Sequence, residues 1–210
     1  MFLHLHDIAI LEASAPFFTT ETHSALRTEE LTSNHAQTVI QSYASLGRRI
    51  GEERVAGRFA NGLKFYRLWL GDKLAATSWI VSEGHRYIDE LNWLIPVPTG
   101  EIWLRDIFVS PDLRGKGMFA QSLKSIVQQQ DRPCTFLRSD VDWSNIESMR
   151  AHAKAGFRVK ARARALDLNG RLRLRSKVVP WLPPIEQITP QQQVIWLRGE
   201  SLTRHRQLIA

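Results

Sequence analysis

The chain has 210 residues, 43% of them hydrophobic, and carries 28 Lys and Arg against 21 Asp and Glu, for a formal charge of +7. That length and apolar content suit one globular domain with a substantial core, and no internal repeat or low-complexity segment interrupts it. The single cysteine, Cys134, excludes an internal disulfide and a multi-cysteine metal site, and no metal is expected. The basic balance favours an anionic partner without choosing among a phosphorylated cofactor, an acidic carrier protein, a nucleic acid and an acidic membrane surface.

The first residues, MFLHLHDIAIL, lack a basic leader region and are interrupted by His4, His6 and Asp7, so they do not read as a signal peptide. No apolar run approaches transmembrane length, and a cytoplasmic protein is expected. Residues Phe2 to Leu11 alternate as a strand, with His4, His6 and Ile8 on one face. With no third metal ligand nearby, those histidines are expected to face solvent. Residues Asn34 to Phe59 carry apolar positions near helical spacing, and Gly47, Gly51 and Gly57 are candidate breaks. Leu63 to Leu70 and Lys73 to Ser82 read as strands joined by Gly71-Asp72 in a tight hairpin. Glu83 to Gly100, with Tyr87, Trp93, Pro96 and Pro98, reads equally as a proline-stiffened surface loop or as a pocket wall.

The most informative stretch is Leu104 to Gln130. The strand Ile102 to Val109 ends at Ser110-Pro111-Asp112, and the turn Leu113-Arg114-Gly115-Lys116-Gly117 follows. A helix then carries Met118, Phe119, Leu123, Ile126 and Val127 on one apolar face. A glycine turn feeding a helix N-terminus leaves backbone N–H groups pointing one way, and the helix dipole adds partial positive charge there. Phosphate oxygens bind well at such a site. Arg114 and Lys116 add formal charge. After it come a strand from Cys134 to Val141, where the thiol is expected to be buried and structural, and a helix from Ser144 to Ala155. Ser144 and Glu147 form a capping-box pattern there, and Asn145, Ser148 and His152 share one face.

Toward the end, Phe157 to Ala165 alternates strictly between apolar and basic residues. Asn169-Gly170 reads as a two-residue hairpin turn, and Arg171 to Val178 returns. That turn sets Arg164 opposite Arg175 and Arg162 opposite Lys177, a basic stripe from Arg158 to Lys177 that is either a solvated face or a surface for an acidic partner. Residues 179–210 read as a C-terminal extension, irregular around Pro183-Pro184 and then a short helix within Gln191 to Leu208. That helix would dock on the core or on a second copy of the chain.

Arg114 and Gly117, after a strand ending V-x-P, match the R-x-x-G-x-(G/A) order of the acyl-CoA pyrophosphate loop, and N-x-x-S-x-x-x-H-x-x-x-G-F follows one strand later; together they resemble the GNAT family (Gcn5-related N-acetyltransferases). Phe119 departs from the small residue usual at its position. The resemblance implies an α/β fold over residues 1–178, a single domain with a mixed, mainly antiparallel central sheet flanked by helices. It implies an acyl-CoA-dependent N-acyltransferase taking acetyl-CoA, or a longer acyl-CoA or acyl carrier protein, with an amine as acceptor. The pantetheine is expected along Ile107, Phe108 and Val109, the pyrophosphate on Arg114, Gly115, Lys116, Gly117, Met118 and Phe119, and further cofactor contacts from Asn145 and Ser148. His152 takes the position of the acid that protonates the leaving thiolate, with Ser148 as a relay. Asp106 takes that of an acidic base, or else forms a salt bridge, with Glu101 a weaker candidate. Arg105 is expected on the face opposite Asp106, either structural or set to recognise an acceptor carboxylate. A protein that senses acyl-CoA without turnover is the alternative of a different class. A nucleic-acid binder ranks last, for lack of surface aromatics among the basic residues.

Overall fold

In the computed structural model of the chain, residues 3–16, 26–168 and 172–178 are described, with the single residues Glu186 and Trp196. Their elements are β1 (Leu3–Ser14), β2 (Leu26–Leu31), α1 (Ala36–Ser45), α2 (Glu52–Ala60), β3 (Lys64–Leu70), β4 (Lys73–Val81), β5 (His85–Ile88), β6 (Trp93–Pro96), β7 (Glu101–Val109), α3 (Met118–Gln128), β8 (Phe136–Asp142), α4 (Ile146–Lys154), β9 (Arg158–Leu168) and β10 (Leu172–Val178). Eight strands form one sheet in the order β10-β9-β1-β8-β7-β4-β3-β2, and β5 and β6 form a separate hairpin. Every pairing in the large sheet is antiparallel except β7 with β8, which the crossover through α3 makes parallel.

Alternation along the strands feeds two cores. Ile8, Ile10, Phe65, Trp79, Val81 and Trp103 meet α1, α2 and the β5–β6 hairpin on one face. Ala9, Leu11, Leu68, Ile80, Leu104 and Leu137 meet Leu123 and Ile126 of α3 on the other. β1 lies between β8 and β9 rather than at an edge, and Ile8 and Ile10 on the His6 side of the strand belong to the first core. His6, expected to face solvent, is therefore buried.

Three other expectations change in detail. The long helix is two: α1 ends before Gly47, which takes a left-handed φ of 71°, and α2 restarts with Gly51 as its N-cap. The stretch Glu83 to Gly100 is not a surface loop but the β5–β6 hairpin, whose Tyr87, Ile88, Leu91, Trp93 and Ile95 are buried. The basic hairpin is shifted by one residue. Leu168 pairs with Leu172, so three residues rather than two separate the strands. Arg164 then lies opposite Ser176 and Arg162 opposite Val178, with Arg175 and Lys177 opposite Ala165 and Ala163. The expected like-charge pairs do not form. The β9 charges are largely met within the sheet: Arg162 and Arg164 bind Asp7 of β1, and Lys160 binds Glu12. The turn Asn169-Gly170 itself lies outside the described residues.

Most of the C-terminal extension, including the expected helix, also lies outside the described residues. Its two described members sit on the β5–β6 hairpin. Glu186 bridges Leu94 through its backbone and pairs with His85 at 3.0 Å, and Trp196 packs against Tyr87. Among the described residues no helix is long and apolar enough to cross a membrane.

Leu123 is fully buried and fastens α3 to the sheet. Its truncation to Ala should cost about 2–5 kcal/mol in chemical denaturation, the range for buried Leu-to-Ala changes.

Candidate active site at the fork between β7 and β8

The parallel pairing of β7 with β8 runs from Glu101↔Phe136 to Leu104↔Ser139 and stops there. Beyond it, Arg105 to Val109 continue along β4, while Asp140 to Asp142 continue along β1. The two central strands thus part, and among the described residues the edge of β7 that faces β8 has no strand partner past Leu104. The cause is local. Against β4, Thr77 opposes Phe108 and Trp79 opposes Arg105, so the two residues Asp106 and Ile107 face the single residue Ser78. This is a β-bulge, and Asp106 takes a left-handed φ of 54°. The extra residue shifts the alternation: Ile102 and Leu104 pack toward α3, and so do Ile107 and Val109 rather than residues 106 and 108.

One consequence corrects the sequence reading. Arg105, expected on the face opposite Asp106, acts on it electrostatically from the same side as Trp103. Asp106 is held by α1, α2 and the loop that joins them. Tyr43 donates to it at 2.6 Å, Arg58 at 3.0 Å and Arg48 at 3.2 Å. Burial pushes its pKa up, but Arg58 and Arg105 together with the Tyr43 hydrogen bond outweigh this and hold the carboxyl well below the usual carboxylate range. An acid so placed is a weak proton acceptor. The salt-bridge reading of Asp106 fits its surroundings, and the general-base reading does not. Its partners also stabilise a backbone conformation that costs a non-glycine residue about 1–3 kcal/mol. Glu101 is ion-paired with Arg138, at the opposite end of β7 from the glycine turn.

The glycine turn has the form that the sequence implies. A short 3-10 turn (Pro111–Leu113) leads to Gly115 and Gly117, both at φ 75°, and Gly117 is the N-cap of α3 with no side-chain cap. Glycine is required there by conformation rather than by crowding, since an added Cβ on Gly117 would meet only Gln121 Nε2, at 3.8 Å. The first-turn N–H groups of α3, those of Met118 and Phe119 among them, therefore receive no side-chain cap from Gly117. Arg114 lies over the Phe108 ring at 5.0 Å, and Arg48 lies over the same ring at 4.9 Å. Lys116 is exposed.

The second motif is brought near the same loop, because the His152 ring of α4 packs at a tilt against Phe119 of α3 at 4.6 Å and edge-on against Phe157 at 5.0 Å. The N-cap of α4 is Asn145, whose side chain accepts the Ser148 N–H at 3.1 Å, one residue later than the expected Ser144 capping box. Ser144 instead donates to Asp142. His152 is 1% exposed, and burial lowers its pKa. Its Nδ1 lies 2.8 Å from the Ser148 carbonyl oxygen, which can only accept, so Nδ1 carries the hydrogen and Nε2 of the neutral ring is bare. That Nε2 has no hydrogen-bond partner among the described residues. The geometry disfavours His152 as the acid, and Ser148 Oγ, 3.4 Å from Nδ1, is a poor relay. Cys134 is partly buried, and burial pushes its thiol up to about 11, which keeps it protonated.

A group missed by sequence reading lies at the apex of the fork. Arg105 and Asp140 are the first residues of β7 and β8 past the last pair. Asp140 is gripped by Arg86 of β5 through two hydrogen bonds of 2.8 Å and by Trp103 Nε1 at 2.7 Å. Glu90, in the turn between β5 and β6, lies within electrostatic range of both Arg105 and Asp140 and hydrogen-bonds Asp89. Nothing in the spacing of Glu90 marks it, because a tertiary fold-over brings it there. Among the described residues no three His, Cys, Asp or Glu side chains gather as metal ligands.

The sequence matches no protein-family profile and no curated protein. The fold does have solved counterparts. The structure of an acetyltransferase of the GNAT family from Colwellia psychrerythraea superposes with a TM-score of 0.51 at 14% identity, over 79% of this chain and 56% of that one. A GCN5-related N-acetyltransferase from Kribbella flavida superposes with a TM-score of 0.50 at 12% identity, over 78% of this chain and 58% of that one. The chain therefore has the GNAT fold, a mixed, mainly antiparallel sheet flanked by helices, and it spans little more than half the length of these two counterparts.

Arg58 is nearly inaccessible, and its removal would leave Asp106 with much of its charge unmet. Arg58→Ala should cost about 3–5 kcal/mol at pH 7. Because the Asp106 pKa is lower folded than unfolded, the stability it contributes is present above about pH 4 and lost as the pH falls further. The difference between wild type and Asp106→Asn in urea melts should accordingly shrink below pH 4.

Proposed function

We propose that the protein is an acyl-CoA-dependent N-acyltransferase, with acetyl-CoA as donor and a primary amine of a small molecule or protein as acceptor. The observation that carries this reading is the fork itself. A bulged strand with one unpaired edge runs directly into a glycine turn and an uncapped helix N-terminus. A pantetheine arm can add to the free edge of Ile107 to Val109 as an extra strand would. The pyrophosphate then meets the amides from Arg114 to Phe119, assisted by Arg114 and Lys116. A backbone N–H of the same strand segment would hold the thioester carbonyl as it becomes an oxyanion. Asn145 and Ser148, at the start of α4, complete the cofactor contacts. The amine would approach from the other face, between α1, α2 and the β5–β6 hairpin, where Tyr43, Arg48 and Phe108 lie.

The donor is therefore a CoA thioester, and the reaction a direct attack of amine on thioester in a ternary complex, with no metal taking part. A longer acyl chain or an acidic carrier protein would use the same fork. A second reading, binding of acyl-CoA without turnover, draws support from the state of His152 and Asp106, neither of which is set to move a proton.

Calorimetric titration with acetyl-CoA separates these readings when paired with thiol release in the presence of primary amines. Micromolar binding with thiol release supports the enzyme, tight binding without release supports the sensor, and no binding removes both. Gly117→Glu forces a side chain into a left-handed position and sets a negative charge at the phosphate cradle. It should weaken acetyl-CoA binding about a hundredfold or more while leaving the fold intact by circular dichroism.

A further inference from the structure

We infer that the amine acceptor also carries an oxyanion, a carboxylate or a phosphate, and that Arg48 grips it beside Phe108. The inference rests on the acyl-transfer reading above and names the class of acceptor that reading leaves open.

The strand register sets the surface. Glu29 pairs with Arg67, Arg67 with Thr77 and Thr77 with Phe108, so β2, β3, β4 and β7 present these four residues in one row across the sheet. The row lies on the same face as Phe65 and Trp79, which pack against α1 and α2. In the next row Arg27 lies opposite Trp69. Adjacent strands are about 4.8 Å apart, so Arg67 and Phe108 are separated by about 10 Å, a span one small molecule can bridge.

Four guanidinium groups meet two aromatic rings on this surface. Arg48 and Arg114 lie over the Phe108 ring at 4.9 and 5.0 Å, and Arg67 and Arg27 over the Trp69 ring at 5.1 and 5.4 Å. Arg27, Arg48 and Arg114 are exposed. Two carboxylates face them, and both are engaged. Glu29 accepts from Arg67 at 2.8 Å and from Trp69 Nε1 at 3.3 Å, and Asp106 accepts from Tyr43, Arg48 and Arg58. Positive charge is left in excess, so a purely cationic acceptor such as a polyamine meets repulsion here and an amine with an oxyanion does not.

Arg48 is the guanidinium best placed to use that excess. It donates from Nη1 to Asp106 at 3.2 Å, and its other N–H groups have no hydrogen-bond partner among the described residues. The Asp106 ion pair and the Phe108 ring hold it in place, so an oxyanion finds a fork already oriented. Arg67 Nε, one row-width away, is buried and also lacks a partner among the described residues. Phe108 belongs to the strand segment assigned to the pantetheine, while its ring lies on the acceptor face. An anion held at Arg48 therefore tethers the amine of the same molecule beside the thioester.

The test uses the full chain saturated with acetyl-CoA, which fills the phosphate cradle so that added anions report on the second site. Benzoate should shift the amides of Arg48, Thr77 and Phe108 and bind about tenfold or more tighter than benzamide, its uncharged isostere. Phenyl phosphate binding tighter than benzoate would identify the anion as a phosphate, and the reverse order as a carboxylate. Arg48→Gln should lower benzoate affinity about tenfold, with the acetyl-CoA Kd within about twofold of wild type. Arg48→Lys keeps a cation beside Asp106 but loses the fork, and should recover only part of the affinity. In thiol-release assays, tyrosine should exceed tyramine, or phosphoethanolamine exceed ethanolamine, by about tenfold in kcat/KM, and Arg48→Gln should remove most of that preference. The binding arms decide if none of the four amines is a substrate. Equal affinity for benzoate and benzamide, shifts confined to other residues, or an undiminished preference in Arg48→Gln would overturn the assignment while leaving the donor site standing. Failure of wild type to bind acetyl-CoA would instead remove the acyl-transfer reading and the acceptor role of Arg48 with it.

Discussion

Everything distinctive about the structure depends on one carboxylate held in an unfavourable backbone conformation. Asp106 sits at φ 54° in the middle of the central sheet, held there by Tyr43 and Arg58 from two helices and by Arg48 from the loop between them. Those contacts stabilise the bulge, and the bulge shifts the phase of β7 as β7 and β8 part. A regular β7 would keep its original alternation to the end, with residues 106 and 108 facing α3. The ion-pair network of Asp106 is thus best understood as architecture. It shapes the site while being too strongly paired to exchange protons in it.

Around that fork the charge is divided by face. On the loop side, Arg114, Lys116 and the α3 N-terminus offer positive potential to a phosphorylated donor. Toward the β5–β6 hairpin, burial and the charge of Asp89 push the Glu90 carboxyl up, while Arg86 and Trp103 hold Asp140. The overall excess of basic residues says less than this local arrangement. Much of the β9 basic stripe is met by Asp7 and Glu12 of the neighbouring strand, so its charge is partly spoken for within the sheet. The β5–β6 hairpin supplies Arg86 to fix Asp140, and it is the surface on which Glu186 and Trp196 rest.

The parts of this account visible in the sequence are those carried by local pattern. The β7–turn–α3 unit could be read because strand residues, two glycines and a helical apolar stripe follow one another within a short span. Gly115 and Gly117 both occupy the left-handed region that such a turn needs. The face shared by Asn145, Ser148 and His152 was legible for the same reason. What escaped depends on tertiary context. The burial of His6 follows from β1 inserting between β8 and β9, a non-local pairing that no window of residues reveals. The register of the β9–β10 hairpin turned on one extra residue in its loop. The shared side of Arg105 and Asp106 needed the bulge, and the grip of Arg86 on Asp140 needed a hairpin folded across the sheet. His152 shows the reverse case. Its position in the motif suggests an acid, yet the Ser148 carbonyl fixes its hydrogen on Nδ1 and burial keeps it neutral.

The central claim, that the fork and the glycine turn form one donor site, is tested most directly by amide chemical-shift mapping as acetyl-CoA is added to the uniformly labelled chain. The account predicts that the largest changes fall together on Arg105 to Val109, on Arg114 to Phe119 and on Asp140 and Val141, on both sides of the parting strands. Saturating binding whose changes fall elsewhere, for example around Gly100 and Cys134 at the other end of β7, would contradict it.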